Sequence, residues 1–215
     1  MLWLEKLSTL TPIETAFWGG SAVIAIPLIV NFLKDLYFDR RKRKEERVYI
    51  SVQLVFILEN FVMKCLRVSW DKGYPLDAPE PQPEDYEEQV SAPIFDMSSV
   101  KGEHKFLKPT TLYDLQSIHV KLYEADVELN LWMDGNGYSY NYLWQYYELR
   151  RELYLNIAKF AFGISDGLRT EFKMKQTEKL KLQQQIRVTL NGLNRDKAWR
   201  QQLINERKAE QEAMK

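Results

Sequence analysis

One cysteine and two histidines are all the thiol and imidazole this 215-residue chain offers. Cys65 has no second cysteine with which to form an intramolecular disulfide, which suits a reducing cytoplasmic compartment. Its apolar surroundings mark a packed thiol rather than a nucleophile. His104 and His119 have no second His, Cys or carboxylate at familiar ligand spacing, and neither HExxH nor paired CxxC occurs, so the common zinc signatures are missing. No Gly-rich loop ends in Lys-Ser or Lys-Thr, and there is no GxSxG elbow; nucleotide hydrolysis and serine hydrolysis of the usual kinds lose their motifs. Asp134-Gly135-Asn136-Gly137 starts like a calcium loop. Its fifth, sixth and twelfth places hold Tyr138, Ser139 and Gln145, where oxygen, glycine and a bidentate Glu are needed, so a helix-breaking turn is the reading. No catalytic residue, metal site or cofactor is expected.

Excess charge of one sign is also lacking: 30 basic residues balance 30 acidic ones. Global charge therefore names no partner, although local blocks of each sign exist. No repeat of solenoid length is apparent.

A long apolar run is present. Between Glu14 and Lys34 there is no ionisable side chain, and the stretch 13–33 would reach about 30 Å as a helix, the thickness of a bilayer's hydrocarbon. Phe17, Val23, Ile24, Leu28, Val30 and Phe32 each favour insertion by a few tenths of a kcal/mol. Arg40, Arg41, Lys42, Arg43 and Lys44 follow at once. A cleaved signal peptide carries its positive charge before the apolar core, whereas here only Lys6 precedes it. The positive-inside rule then places a short amino-terminal segment (1–12) outside, a transmembrane helix at 13–33, a basic juxtamembrane segment (34–47) at the membrane surface and the rest in the cytoplasm. The five cations can each gain about 1 kcal/mol near an anionic leaflet. The lipid bilayer is thus the first expected partner; nucleic acid is disfavoured, since the run is short and lacks interleaved aromatics. Ala16 with Gly20, and Ser21 with Ala25, give small-xxx-small spacing that allows membrane helices to associate.

Beyond the anchor the chain reads as all-α. The segment 48–172 is expected to form a cytoplasmic helical bundle whose first helix continues from the anchor. Val48, Val52, Val55, Leu58 or Glu59, Val62, Cys65 and Leu66 recur at helical spacing. A second membrane span competes here, but Gln53, Glu59, Asn60 and Lys64 lie within it, and a charge at mid-bilayer costs about 2.5–3.5 kcal/mol. Glu59 and Asn60 form a candidate buried polar pair, with Glu59 at the rim or paired to a cation from another segment. A long acidic, Pro-rich loop (74–109) follows, a candidate interaction surface. Thr110 or Thr111 offers a hydroxyl N-cap for the next helix, whose face holds Leu112, Leu115, Ile118 or His119, Leu122, Ala125 or Asp126, and Leu129. Another helix is expected over 138–172, with Leu149 or Arg150 on its apolar side. The aromatics Tyr138, Tyr140, Tyr142, Trp144, Tyr146 and Tyr147 are read as interhelix packing rather than a stacking platform. A basic polar helical segment, 173–215, carries a thin seam at Leu182, Ile186, Leu190 or Leu193, and Leu203, with Asn191-Gly192 positioned to break it.

Two segments, Arg47-Val48-Tyr49 through Leu58-Glu59-Asn60-Phe61-Val62 to Cys65, and Val100-Lys101-Gly102-Glu103-His104-Lys105-Phe106-Leu107-Lys108-Pro109 with Leu112-Tyr113, resemble an uncharacterised family of small bacterial single-pass membrane-anchored proteins. The resemblance covers about the first two-thirds of the chain. It implies bacterial inner-membrane placement and a cytoplasmic helical domain, and nothing chemical. A scaffold that binds a copy of itself or another membrane or cytoplasmic protein is the leading expectation. A ligand-responsive membrane effector or sensor is the alternative, and an enzyme with a site scattered over Glu59, His104 and His119 is a third.

Overall fold

The computed structural model describes residues 12–75, 79, 82, 85–136, 142–175 and 177–213, with the side chains of 12–27, 177, 178, 180, 207, 211 and 213 outside that description. Every regular element among the described residues is helical. Helix α1 runs Pro12–Trp70, α2 Pro109–Gly135, α3 Leu143–Glu171 and α4 Thr177–Ala213, and a 3-10 turn occupies His104–Phe106. The chain divides into two compact units, Met1–Arg47 and Val48–Lys215.

In the first unit α1 opens on proline, where a missing N–H costs nothing because the first turn has no intrahelical acceptor for it. From Leu28 to Glu45 every side chain is exposed. The small-residue spacing at Ala16, Gly20, Ser21 and Ala25 lies on side chains outside the described residues.

The second unit is built on the rest of α1. Ile50, Leu54, Val55, Leu58, Phe61, Val62, Cys65, Leu66 and Val68 are buried among Leu115, Ile118, Ala125 and Leu129 of α2, Leu155, Ile157, Ala158 and Ala161 of α3, and Leu182, Ile186 and Leu193 of α4. Burying such side chains stabilises by about 1.5–3 kcal/mol each. Val52 is a correction: it is 37 % exposed. The stretch is apolar almost all round, so no polar stripe fixes the inward face. The helix turns roughly 60° from the expected register, bringing Ile50 and Phe61 in and leaving Val52 out.

Three boundaries also differ from expectation. Helix α2 begins at Pro109 with Lys108 as its N-cap and no side-chain cap bond, so Thr110 and Thr111 are not caps; proline's fixed φ suits the first helical position and wins over the hydroxyls. Helix α3 begins at Leu143, and the residues 137–141 before it lie outside the description. Helix α4 passes through Asn191-Gly192 unbroken. A glycine in a helix costs about 1 kcal/mol, which the burial of Leu182, Ile186 and Leu193 outweighs.

Between α1 and α2 the backbone is fastened at two points. The Gln53 side chain brackets Lys101, accepting its N–H at 2.9 Å and donating to its carbonyl at 3.0 Å. Phe95 packs edge-on to Phe61 of α1 at 5.1 Å between ring centres and tilts against His119 of α2 at 5.5 Å. Where α1 ends, Gly73 has φ +81, and a Cβ added there would meet the Tyr147 ring at 2.5 Å. Gly73→Ala is expected to destabilise the fold by about 3 kcal/mol, through left-handed strain plus overpacking. Gly163→Ala, on α3 with nothing within 4 Å of an added Cβ, is expected to stabilise by about 0.5–1 kcal/mol. Chemical unfolding of both variants checks the opposite signs.

Candidate functional site

Two kinds of place in this fold concentrate chemistry: buried ion pairs in the Val48–Lys215 unit, and the exposed apolar and basic surface of α1 in the other.

Glu59 is buried on α1, and the Arg169 guanidinium of α3 grips it with two bonds, Nε to Oε1 at 2.5 Å and Nη2 to Oε2 at 2.8 Å. The Ser165 hydroxyl adds a third donor to Oε1 at 3.2 Å, and Arg169 Nη1 donates to the Lys175 carbonyl. Fork-to-fork pairing satisfies both ions, the condition under which a buried charge survives. Asn60 does not belong to this pair. It is exposed, because consecutive residues on a helix point about 100° apart and only Glu59 faces α3. Neither His104 nor His119 is among the hydrogen-bond partners of Glu59; His119 is exposed beside Phe95, and His104 lies in the 3-10 turn.

A second ionic centre holds the end of α1. Asp71 Oδ1 accepts the Gly73 N–H at 2.8 Å, and Oδ2 accepts the N–H groups of Gln89 and Val90 at 3.0 Å each together with Arg150 Nη1 at 3.0 Å. Arg150 Nη2 donates to the Val90 carbonyl at 2.6 Å and to Glu88. Next to it on α3, Arg151 donates to the Ser69 carbonyl at 2.9 Å and to Asp196 of α4 at 3.0 Å. Arg151 thus ties the end of α1 to α4, and Trp70 Nε1 adds a bond to Thr189 Oγ1 at 2.7 Å. The sequence reading missed Asp71, Arg151 and Arg169. The available signal was the register of α3, which places Arg150 and Arg169 among apolar positions, where an arginine survives only with a partner.

Those carboxylates are committed to holding helices together. Among the described residues no group of three or more His, Cys, Asp or Glu could hold a metal ion. Burial pushes the Cys65 thiol up to about 12, so it stays protonated and weakly nucleophilic at neutral pH. The Tyr147 hydroxyl is likewise pushed up to about 12 by burial, with the nearby Asp71 charge adding to the effect. Tyr147 stacks on Tyr86 at 5.8 Å and meets Tyr146 edge-on at 5.3 Å, while Tyr146 reaches Trp132 of α2 at 5.8 Å. These rings join elements of the fold. Tyr138 and Tyr140 lie outside the described residues. An open groove of about 390 Å³ between α2 and α3 is lined by Tyr113, Val120, Glu124 and Phe160, with Lys121 Nζ over the Phe160 ring at 4.8 Å.

The surface of α1 in the first unit is of another kind. Leu28, Ile29, Val30, Phe32, Leu33, Leu36, Tyr37 and Phe38 are all exposed, Leu28 at 64 % and Phe32 at 63 %. A contiguous apolar surface of this kind marks contact with a membrane or another protein. Arg40, Arg41, Lys42, Arg43 and Lys44 follow, all exposed, and Arg41 Nε donates to Glu45 Oε1 at 2.9 Å. By length and composition α1 over Leu28–Trp70 is apolar enough to cross a membrane, but the apolar stretch concerned is 44 % buried and so reaches into the packed part of the helix beyond Glu45.

No protein-family profile matches this chain, and no characterised protein or solved structure matches it either.

Proposed function

We propose that the chain is a single-pass membrane-anchored scaffold of the bacterial inner membrane, without catalysis, whose cytoplasmic helical bundle recruits a partner or another copy of itself. The observation that carries this reading is the contrast along α1. Its apolar side chains from Leu28 to Phe38 are exposed on all sides, whereas those from Ile50 to Val68 are packed inside the second unit. A helix lying in the membrane plane separates apolar from basic around its axis. Here the two are separated along the axis, with no charge through Leu33, mixed charge and aromatics from Lys34 to Asp39 and the basic run from Arg40, as in a helix that crosses.

The apolar stretch 48–65 fits a core helix better than a second span. Most of its aliphatic side chains, Ile50, Leu54, Val55, Leu58 and Val62 among them, pack in the core, Glu59 has its arginine, and Gln53 holds Lys101. Commitment of the buried carboxylates to ion pairs favours a scaffold over an enzyme. The orientation is tested by protease: the 48–215 unit is expected to survive in intact cells and to be cut in inverted vesicles. Cross-linking in native membranes is expected to give dimers or partner adducts. Monomers alone, with no bound protein, would remove the scaffold reading.

A further inference from the structure

Helix α2 has two apolar sides. Leu115, Ile118, Ala125 and Leu129 face the core, while Tyr113, Val120, Tyr123 and Leu131 are exposed on the opposite side. At about 100° per residue those four exposed side chains fall within an arc of about 80°, a stripe rather than a scatter. The stripe borders the groove against α3, where Tyr113 and Val120 stand beside Glu124. The charge around it is mostly acidic. Asp114, Glu124, Asp126, Glu128 and Asp134 stand on α2 against Lys121, whose ammonium lies over the Phe160 ring. Glu124 and Glu128 are exposed and have no ion-pair partner among the described residues.

Helix α4 carries the complementary pattern on the side away from its buried seam. Val188 and Trp199 are exposed and eleven residues apart, so they share a face, with Arg195 between them and Arg187 at its edge. Both arginines are exposed without an ion-pair partner among the described residues, and Asp196, the one acidic residue between Lys181 and Asn205, is held by Arg151. On α2, Val120 and Leu131 have the same eleven-residue spacing, about 16 Å along the helix, with Glu124 and Glu128 between them. The two faces match in apolar spacing and oppose in charge.

We propose that this outer face of α2 docks α4 of a second copy, with Val188 and Trp199 on the apolar stripe and Arg187 and Arg195 opposite Glu124 and Glu128. The proposal rests on the scaffold reading above and names the surfaces through which copies meet. Charge singles out the occupant: a second α2 would set carboxylates against carboxylates, whereas α4 sets guanidinium groups against them. Because two different faces meet, the contact is heterologous and continues from copy to copy unless it closes into a ring.

The test uses the full chain in liposomes, as copies carrying donor and acceptor fluorescent tags, with energy transfer followed as added lipid dilutes them. Glu124→Lys with Glu128→Lys is expected to weaken self-association about tenfold, and Arg187→Glu with Arg195→Glu by as much. Glu124→Gln with Glu128→Gln, which removes charge without reversing it, is expected to cost about threefold. A mixture of the two reversed variants is expected to associate within about threefold of the wild type, because every contact between unlike variants again pairs acid with base. All four side chains are exposed, so thermal melting of each variant should match the wild type. Failure of the mixture to recover overturns the proposal. An α4 variant that associates like the wild type would put α2 against α2, and overturns it too. If neither reversed variant loses association, copies meet elsewhere and the scaffold reading stands without this contact. A wild type with no energy transfer at any density defeats self-association altogether, and the scaffold reading then depends on cross-links to other proteins.

Discussion

Replacing Arg169 by methionine is expected to cost about 3–5 kcal/mol of stability, because it strands the Glu59 carboxylate in the core. Glu59 has three donors, and two of them belong to Arg169. Ser165 alone, at 3.2 Å, does not replace them. Glu59→Leu is expected to cost a similar amount, since Arg169 then keeps only its bond to the Lys175 carbonyl among those described above. The double variant Glu59→Leu, Arg169→Met removes both charges, and is expected to recover most of the loss and to lie within about 1 kcal/mol of the wild type. Chemical unfolding in detergent, followed by helical circular dichroism, supplies the four corners of the cycle. Additive single losses in the double variant would show that the two ions do not depend on each other. This bidentate grip joins residues 110 positions apart, so it also fixes which face of α1 meets α3.

That pairing shows where sequence was enough and where it was not. A carboxylate inside an apolar helix demands a partner, so the need of Glu59 for a cation was readable from composition alone. The partner was not readable, because nothing local connects position 59 with position 169. The all-helical character came from spacing of the kind seen in Leu115, Ile118, Ala125 and Leu129, four residues that one face of α2 buries. Register failed on α1, where apolar residues on nearly every side made Val52 as good a core residue as Ile50 until α3 and α4 were in place. Local turn chemistry failed at Asn191-Gly192 for a related reason. Tertiary burial of the residues around a weak helix former overrides its propensity. The basic run was obvious as a run.

Arginine in the apolar stretch of α1 is expected to release the protein from the membrane. Ile24→Arg and Leu28→Arg each add about 2.5–3.5 kcal/mol to insertion near the middle of a span and forfeit a few tenths of favourable transfer, so together they cancel the apolar contribution of most of the stretch 13–33. The double variant should leave the alkali-resistant membrane pellet and appear in the soluble fraction or in aggregates. Phe56→Arg provides the discriminating control. Phe56 is 64 % exposed on α1 within the second unit, so an arginine there meets solvent and membrane retention should not change. Were the stretch 48–65 a second span instead, Phe56→Arg would carry the same insertion cost as Leu28→Arg and would weaken retention. Were neither stretch in the bilayer, none of the three substitutions would move the protein between fractions. Equal retention of the wild type and the Ile24→Arg, Leu28→Arg variant would remove the anchor, and with it the reason for exposing eight large apolar side chains between Leu28 and Phe38. Those side chains would then need a protein partner along the same eleven positions, and cross-links should map to them rather than to the 48–215 unit.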